Sequence, residues 1–371
     1  MTHPFPDTPA LQTALIGFGN AGRWFHAPVI AGVPGIALSI CSSRPDDVRA
    51  DWPSVPVLPN PEAVFADPAI ELVVIASTNE THHGLAKAAL LAGKHVLVDK
   101  PCTVTLAETE DLLAVAKAQG RVLTLYQSRR FDADFLSLKQ VLEAGTLGRV
   151  VHFESHFDRY RPQVLDRWRD KNLPGSGLWL DLGSHLVDQC LQLFGVPDDL
   201  LLDLACQRDM AEVHDAFHAV LRYDSARPGL RAVLHAGTVV PAGSPRFAVH
   251  GTLGSFVKWG TDSQEDALKA GQRPSLQALA GWGHDAQPGE VITFEDGQRI
   301  SRPAPLATGN YMLFYAQLRD HLLALRAGQT AGAQVGSPPV LAHEILQSMS
   351  LLSRGELSAR KGRFVETADL R

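Results

Sequence analysis

Asp181 and His185 stand four residues apart in Gly177-Leu-Trp-Leu-Asp181-Leu-Gly-Ser-His185, a spacing that sets a carboxylate and an imidazole on one face of a helix. A carboxylate so placed can orient the ring and hold its charged form when the ring takes a proton. Such pairs lie on solvated surfaces more often than in sites, so the meaning of this one rests on its company. Far upstream, the strand-like run His95–Val98 ends in Asp99-Lys100-Pro101. That leaves a lysine at the carboxyl end of a strand, held extended by the proline after it. A third group works through its backbone. Leu11 to Ile16 runs into Gly17-Phe18-Gly19-Asn20-Ala21-Gly22 and on into a helix-compatible segment. In that context Gly17 makes the tight turn, Gly19 admits a pyrophosphate against bare backbone and Gly22 lets the helix pack closely. The helix N-terminus then supplies unpaired N–H groups to the phosphates. This is the pattern of a dinucleotide site, and Lys100 at a strand end can lie beside the nicotinamide.

The ribose is read about 20 residues past the glycines, where NAD sites place Asp or Glu and NADP sites need positive charge. This chain has Cys41-Ser42-Ser43-Arg44-Pro45 there. No carboxylate ends the strand, and Arg44 offers a planar fork suited to a phosphate. Asp46 and Asp47, beyond the proline, are expected to point to solvent. The pattern favours NADP(H), with NAD as the alternative; the competing reading of Arg44 is a surface arginine in a turn.

These groups need elements to hold them. Strand-like runs Ile36–Cys41, Ile70–Ala76, His95–Val98 and Val122–Tyr126 alternate with helical patterns at Leu85–Ala92 and Leu106–Ala118, which predicts a parallel sheet covered on both faces. From about Val150, strand-like runs follow one another: Val150–Phe157, Leu200–Cys206, Ala216–Tyr223, Leu230–Val240, Arg246–Trp259 and Val291–Arg302. Successive strands predict a mostly antiparallel sheet, one side of which often becomes a subunit interface. Helical patterns close the chain at Tyr311–Arg326 and Val340–Leu357, and Gln272–Gly289 reads as a surface loop. The expected fold is α/β: a doubly wound (Rossmann) domain over 1–128, then an α+β domain over 129–337 with a large, mostly antiparallel sheet. The last helix, about 338–362, is expected to pack back on the first domain. A chain of 371 residues exceeds the size at which one core keeps growing.

Composition narrows the function. Hydrophobic content of 45% and charged content of 20% are ordinary for a globular protein. A net charge of -6 argues against nucleic acid or anionic membranes as partners. No apolar run approaches the roughly 18 residues of a membrane span, and Met1–Pro9 has no apolar signal core, so a cytoplasmic protein is expected. Cys41, Cys102, Cys190 and Cys206 show no C-x-x-C spacing and read as buried, reduced residues. His82 and His83 are adjacent and diverge on a helix, so no metal is expected.

Together these residues resemble the Gfo/Idh/MocA oxidoreductases, the glucose–fructose oxidoreductase and inositol dehydrogenase family. The resemblance is carried by Gly17-x-Gly19-x-x-Gly22, Asp99-Lys100-Pro101, Tyr126-Gln127-Ser128-Arg129-Arg130, Gly177-x-x-Leu-Asp181-x-Gly-x-His185, Tyr311-x-x-Phe314 and the last helix to Lys361-Gly362. His156-Phe-Asp-Arg159-Tyr160-Arg161-Pro, Arg167-Trp168-Arg, Gly251-x-x-x-Ser255-Phe and Gln264-Glu-Asp-Ala-Leu look like its NADP-dependent scyllo-inositol dehydrogenase branch. The resemblance implies that Lys100 contacts the substrate hydroxyl and the nicotinamide ribose, that His185 exchanges the hydroxyl proton, and that Asp181 orients it. It also implies that Ser77, Asn79, His82, Asp99 and Gln127 join Gly17–Gly22 and Ser42–Arg44 around the cofactor. The implied substrate is a cyclic polyol or its keto form. Another sugar derivative, or a non-catalytic NAD(P)-sensing regulator of the same fold, is the alternative. Arg159, Tyr160, Arg161 and Trp168 either line a polyol pocket or brace the loop beneath it, and Arg129-Arg130 is expected to pair structural carboxylates. A homo-oligomer, dimer or tetramer, through the second sheet is expected. The chain departs from the family at Asp99, where Glu is usual, at Ser128, where Asn is common, and at Leu180, where the branch often has Tyr.

Overall fold

The computed structural model describes residues 8–329 and 336–371; Met1–Asp7, where no signal core was read, lie outside the described residues. The chain forms two compact units. The first comprises Met1–Ser128, Gln264–Trp282 and Asn310–Leu346; the second comprises Arg129–Ser263, Gly283–Gly309 and Gln347–Arg371.

Six short strands make the first sheet: β1 (Leu11–Ile16), β2 (Ile36–Cys41), β3 (Val57–Leu58), β4 (Leu72–Ile75), β5 (His95–Val98) and β6 (Leu123–Leu125). All neighbours are parallel, in the order β3-β2-β1-β4-β5-β6. Leu15, Val73–Ile75 and Val96–Val98 are fully buried, as strands covered on both faces must be. The order reverses between β1 and β4, and ligands of open α/β sheets bind outside the carboxyl ends at such a switch point. Helix Leu106–Ala118 starts on a reciprocal Thr105/Glu108 capping box, which satisfies orphan N–H groups at both residues. The helix after the glycines is not uniform: Ala21–His26 is π-wound before the α-helical Ala27–Ala31. The Ala27 N–H reaches back to the Gly22 carbonyl, and Pro28, with no N–H, cannot continue the ladder.

The expected boundary after 128 must be amended downstream. Gln264–Trp282 and Asn310–Leu346 fall in the nucleotide unit, because helix Met312–Arg326 packs on β1 and on Ala27–Ala31. The closing helix, Ala342–Lys361, begins in the first unit but belongs to the second from Gln347 on. There its Leu352 carbonyl accepts the indole N–H of the fully buried Trp179 at 3.0 Å.

The second sheet has nine strands: β7 (Val150–His156), β8 (Asp199–Ala205), β9 (Ala216–Arg222), β10 (Arg231–Gly237), β11 (Phe247–Gly251), β12 (Gly254–Lys258), β13 (Glu290–Glu295), β14 (Gln298–Pro303) and β15 (Val365–Glu366). Their order is β14-β13-β12-β11-β7-β10-β9-β8-β15. Neighbours are antiparallel except β7 and β10, which run parallel. Phe153, Phe217, Leu234, Phe247 and Val249 bury one face, with helices Ala133–Glu143 and Ser184–Phe194 packed against the sheet. His152, Glu154, His156, His218, His235 and His250 are left at least partly exposed. Two of the predicted runs are hairpins rather than single strands. β13 and β14 turn at Asp296-Gly297, both at positive φ, the two-residue turn that matches strand twist. The Gln272–Gly289 segment has no regular element but is not all surface. Trp282 is buried and donates to Gln264 at 3.1 Å, and buried Asp285 pairs with buried Lys258 at 3.0 Å. Cys206, expected to be buried, is exposed; the other three cysteines are buried.

Candidate active site

The glycine turn is fixed by sterics. Gly17 has φ +102°, and a Cβ there would stand 2.5 Å from the Ala76 carbonyl oxygen at the end of β4. A Cβ on Gly22 would stand 2.0 Å from the Gly17 carbonyl oxygen, whereas one on Gly19 would meet nothing within 4 Å. Two glycines thus let the backbone close on itself, and the third leaves bare main chain facing open space. That is the cradle a pyrophosphate requires, so these residues fit a dinucleotide.

At the end of β2, Cys41 is buried and its carbonyl accepts the Gly17 N–H at 2.9 Å. Ser42 caps the Arg44 N–H at 3.0 Å. The Arg44 side chain is 62% exposed, yet one guanidinium nitrogen lies 3.3 Å from the Phe18 carbonyl oxygen, inside the glycine turn. Its backbone thus begins just past β2 and its charge leans over the glycine turn. Asp46 faces solvent as expected, its side chain 93% exposed beside Arg49 at 2.8 Å, whereas Asp47 is partly covered and pairs with Arg44 at 3.5 Å. The physical reason is that Arg44 is the N-cap of helix Pro45–Asp51, which brings Asp47 in the first turn beside it.

At the ends of β4 and β5, Asn79 and His82 are buried on helix Asn79–Leu91. His82 bridges the two loops, with Nδ1 3.0 Å from the Pro101 carbonyl and Nε2 3.3 Å from that of Ser77. Burial pushes its pKa down, against Asp99 and three carbonyls that pull the other way. The Ser77 hydroxyl pairs with Thr81 at 2.6 Å. Asp99 is buried and accepts the Lys100 N–H at 2.8 Å. Burial pushes its carboxyl up, but His26, Lys100 and His82 outweigh this and hold it below the usual carboxylate value. The Lys100–Pro101 peptide is cis. Lys100 is partly exposed, and Gln127, just past β6, is buried. The first unit therefore brings the predicted cofactor residues to one edge of its sheet. His83 pairs with Asp111 at 2.7 Å, and no metal cluster occurs among the described residues.

In the second unit, Asp181 lies in a π-wound turn, Trp179–Gly183, and His185 in the α-helix Ser184–Phe194 that follows. The turn is built around Trp179. A Cβ on Gly183 would stand 2.5 Å from its ring, and one on Gly355 would stand 2.6 Å away. Gly177, at φ +91°, leaves room for the His214 ring, which takes the Trp179 N–H at 3.2 Å. His185 is buried, its ring 6.4 Å from that of Phe157. Asp181 lies 3.6 Å from Arg169, which stacks on Trp168 at 5.0 Å. Sequence reading passed over Arg169 as a bare motif member, although its place beside Trp168 was the available signal.

The loop residues divide. Arg159 and Arg161 are held by backbone bonds to Gly237 and Thr238 at 2.9 and 2.7 Å, and Tyr160 is 60% exposed. Further along, Asp170 is gripped by Arg167 at 2.7 Å and by buried Arg208 at 2.9 Å, and Arg208 also holds Asp215 at 2.7 Å. As expected, Arg129 pairs with Asp132 at 3.2 Å and Arg130 with Asp188 at 2.6 Å.

Comparison with known proteins bears on this arrangement. Residues 11–127 match the description "Oxidoreductase family, NAD-binding Rossmann fold", and residues 135–257 match the GFO/IDH/MocA C-terminal domain. The chain is 46% identical over 351 residues to the uncharacterised oxidoreductase YdgJ of Escherichia coli (strain K12), covering 94% of this chain and 96% of that protein. It is 34% identical over 358 residues to the scyllo-inositol 2-dehydrogenase (NADP(+)) IolW of Bacillus subtilis (strain 168), covering 96% and 95%. An oxidoreductase structure from Yersinia pestis superposes with a TM-score of 0.89 at 43% identity, covering 98% of each chain. The turn open to a pyrophosphate, the lysine at the end of β5 and the Asp181–His185 helix thus occur in an NAD(P)-binding oxidoreductase, and the chain belongs to the Gfo/Idh/MocA family.

Proposed function

We propose that the protein is an NADP-dependent dehydrogenase that oxidises a CH–OH group of a cyclic polyol such as scyllo-inositol, or reduces the corresponding ketone. The observation that carries the cofactor choice is Arg44, which stands at the end of β2 where no carboxylate does and reaches the Phe18 carbonyl of the glycine turn. The NADP(+)-dependent relative supports the same choice, and its name supports the substrate class. Gly17–Gly22, Ser42, Ser43, Arg44, Ser77, Asn79, His82, Asp99, Lys100 and Gln127 would hold the dinucleotide. When bound, its nicotinamide supplies the hydride acceptor or donor. The protein's part is proton and charge management. His185 takes the hydroxyl proton, Asp181 orients the ring and favours its charged form, and the Lys100 ammonium stabilises the oxygen as negative charge develops. Arg159, Tyr160, Arg161 and Trp168 would bond the remaining hydroxyls.

Titrating Arg44→Ala with both cofactors tests the reading. Charge-assisted bonds to a 2′-phosphate contribute about 1.5–3 kcal/mol each, so NADP binding should weaken roughly tenfold or more while NAD binding barely changes. Equal losses for both would remove the assignment. Self-association through the partly exposed, histidine-bearing face of the second sheet belongs to the same reading. Light scattering on the purified protein should give a dimer or tetramer, and a monomer would remove it.

A further inference from the structure

A buried chain of polar contacts runs behind Lys100. His26 ends the π-wound turn that follows the glycines and is fully buried. Its Nδ1 lies 2.5 Å from the hydroxyl of Tyr315, itself fully buried on helix Met312–Arg326. Its Nε2 has no hydrogen-bond partner among the described residues and faces Asp99 Oδ1 at 3.7 Å. That same oxygen accepts the Lys100 N–H at 2.8 Å. All four residues belong to the first unit.

The directions of these contacts follow from the chemistry. Burial pushes the Tyr315 hydroxyl well above its ordinary value, so it keeps its hydrogen and can donate to Nδ1. The ring hydrogen then sits on Nε2 and points at the Asp99 carboxylate. The opposite tautomer would aim a lone pair at a buried anion, which is unfavourable without a compensating donor. A separation of 3.7 Å is longer than a hydrogen bond, so the attraction is that of an N–H dipole for a nearby charge.

We infer that His26 is a positioning residue for Lys100, acting through Asp99: Nε2–H steadies the carboxylate, the carboxylate fixes the Lys100 main chain, and Tyr315 selects the tautomer this requires. The inference rests on the reading of Lys100 as the group that meets the reacting hydroxyl. It ties the helix behind the phosphate-reading turn to the lysine, so a shift of that helix is felt at the reacting group.

Three variants and one spectrum test it. His26→Gln keeps an N–H donor, His26→Leu keeps bulk without one, and Tyr315→Phe removes only the hydroxyl. Misplacing a catalytic group by about 1 Å can cost on the order of a hundredfold. His26→Leu should therefore lower kcat about tenfold to a hundredfold with KM and NADP affinity nearly unchanged, and His26→Gln should recover most of the loss. Nitrogen-15 NMR of histidine-labelled protein without cofactor should show His26 with its hydrogen on Nε2, and Tyr315→Phe should redistribute it. A hydrogen on Nδ1 in the wild type overturns the inference, as do equal losses in Gln and Leu variants. Should His26→Leu not fold, the spectrum and Tyr315→Phe decide. If Lys100→Met retains turnover, the reading of Lys100 itself fails. If Lys100→Met collapses while the folded His26→Leu enzyme turns over normally, only the positioning role fails.

Discussion

At the carboxyl edge of the first sheet, geometry is held by backbone that cannot be moved: a Cβ on Gly22 would stand 2.0 Å from the Gly17 carbonyl oxygen. Around Arg167–Asp170, at the far end of the second unit's loop, geometry is held by charged side chains, with Arg208 pinning both Asp170 and Asp215. The first kind of site leaves its mark as residue types at fixed spacing, because only glycine satisfies it. The second kind can be built from many charge pairs separated by any distance in sequence. Arg208 grips a residue 38 positions away, and no local pattern announces it. Cofactor binding is thereby tied to the rigid region, while the loop proposed to select substrate stands on replaceable contacts.

The largest effect should fall on the chemistry supplied by both regions. Proton-transfer groups contribute about a hundredfold to ten-thousandfold in rate, so Lys100→Met and His185→Ala should each lower kcat by that order, and His185→Ala should leave NADP titration near wild type. Asp181→Asn, which keeps shape but no longer favours the charged ring, should fall between. Retention of more than a few per cent of turnover in Lys100→Met would show that the first region supplies binding alone.

Next comes the charge network. Removing one partner of a buried ion pair costs about 3–5 kcal/mol, so Arg208→Leu should lower the unfolding free energy by that order in urea titrations. The pH dependence has a definite sign. Burial raises the Asp170 carboxyl, but Arg208 and Arg167 outweigh it and hold it below its usual value. Its contribution is thus present above the ordinary carboxylate range and lost as pH falls through the lowered value. The deficit of Arg208→Leu should shrink in acid, where protonation relieves the unpaired carboxylates. A deficit that grows in acid would contradict the network.

A pair of glycine variants separates fold from binding in the rigid region. Gly22→Ala forces backbone atoms apart, and overpacking of this kind costs about 1–3 kcal/mol, so both melting temperature and cofactor affinity should drop. Gly19→Ala adds a methyl to open space and should weaken only the cofactor. If both melted alike, the open cradle would be a packing feature instead. The smallest effect is expected at Tyr160, whose exposed ring should make Tyr160→Phe neutral in stability within about 0.5 kcal/mol and felt only in KM.

Much of this was legible in the sequence, for stated reasons. Every strand of the first sheet except the two-residue β3, which no predicted run covers, is a short apolar run closed by turn residues, and helix Leu106–Ala118 has the bounds its pattern predicts. Helix Ala133–Glu143 was missed because Asp134 and Ser137 interrupt its buried stripe. Asp134 is buried because Arg246, far along the chain, lies 3.2 Å away. The π-wound turns at Ala21–His26 and Trp179–Gly183 leave no periodic trace, since one extra residue per turn is set by packing around Pro28 and Trp179. Arg169, 3.6 Å from Asp181, sits in the isolated one-turn 3-10 helix Trp168–Asp170, where spacing says nothing about proximity.

The central claim is most directly tested by absorbance at 340 nm in a kinetic panel of inositols, linear alditols, aldoses and aldonic acids, each with NADP+ and with NAD+. A pocket built to bond hydroxyls rejects analogues lacking them, because its buried polar groups are left unpaired. The account predicts the highest kcat/KM for a ring polyol with NADP+, and a loss on removing one ring hydroxyl well beyond that of a methylene contact. A linear alditol or an aldonic acid as the best substrate, or an equal rate with NAD+, would contradict it.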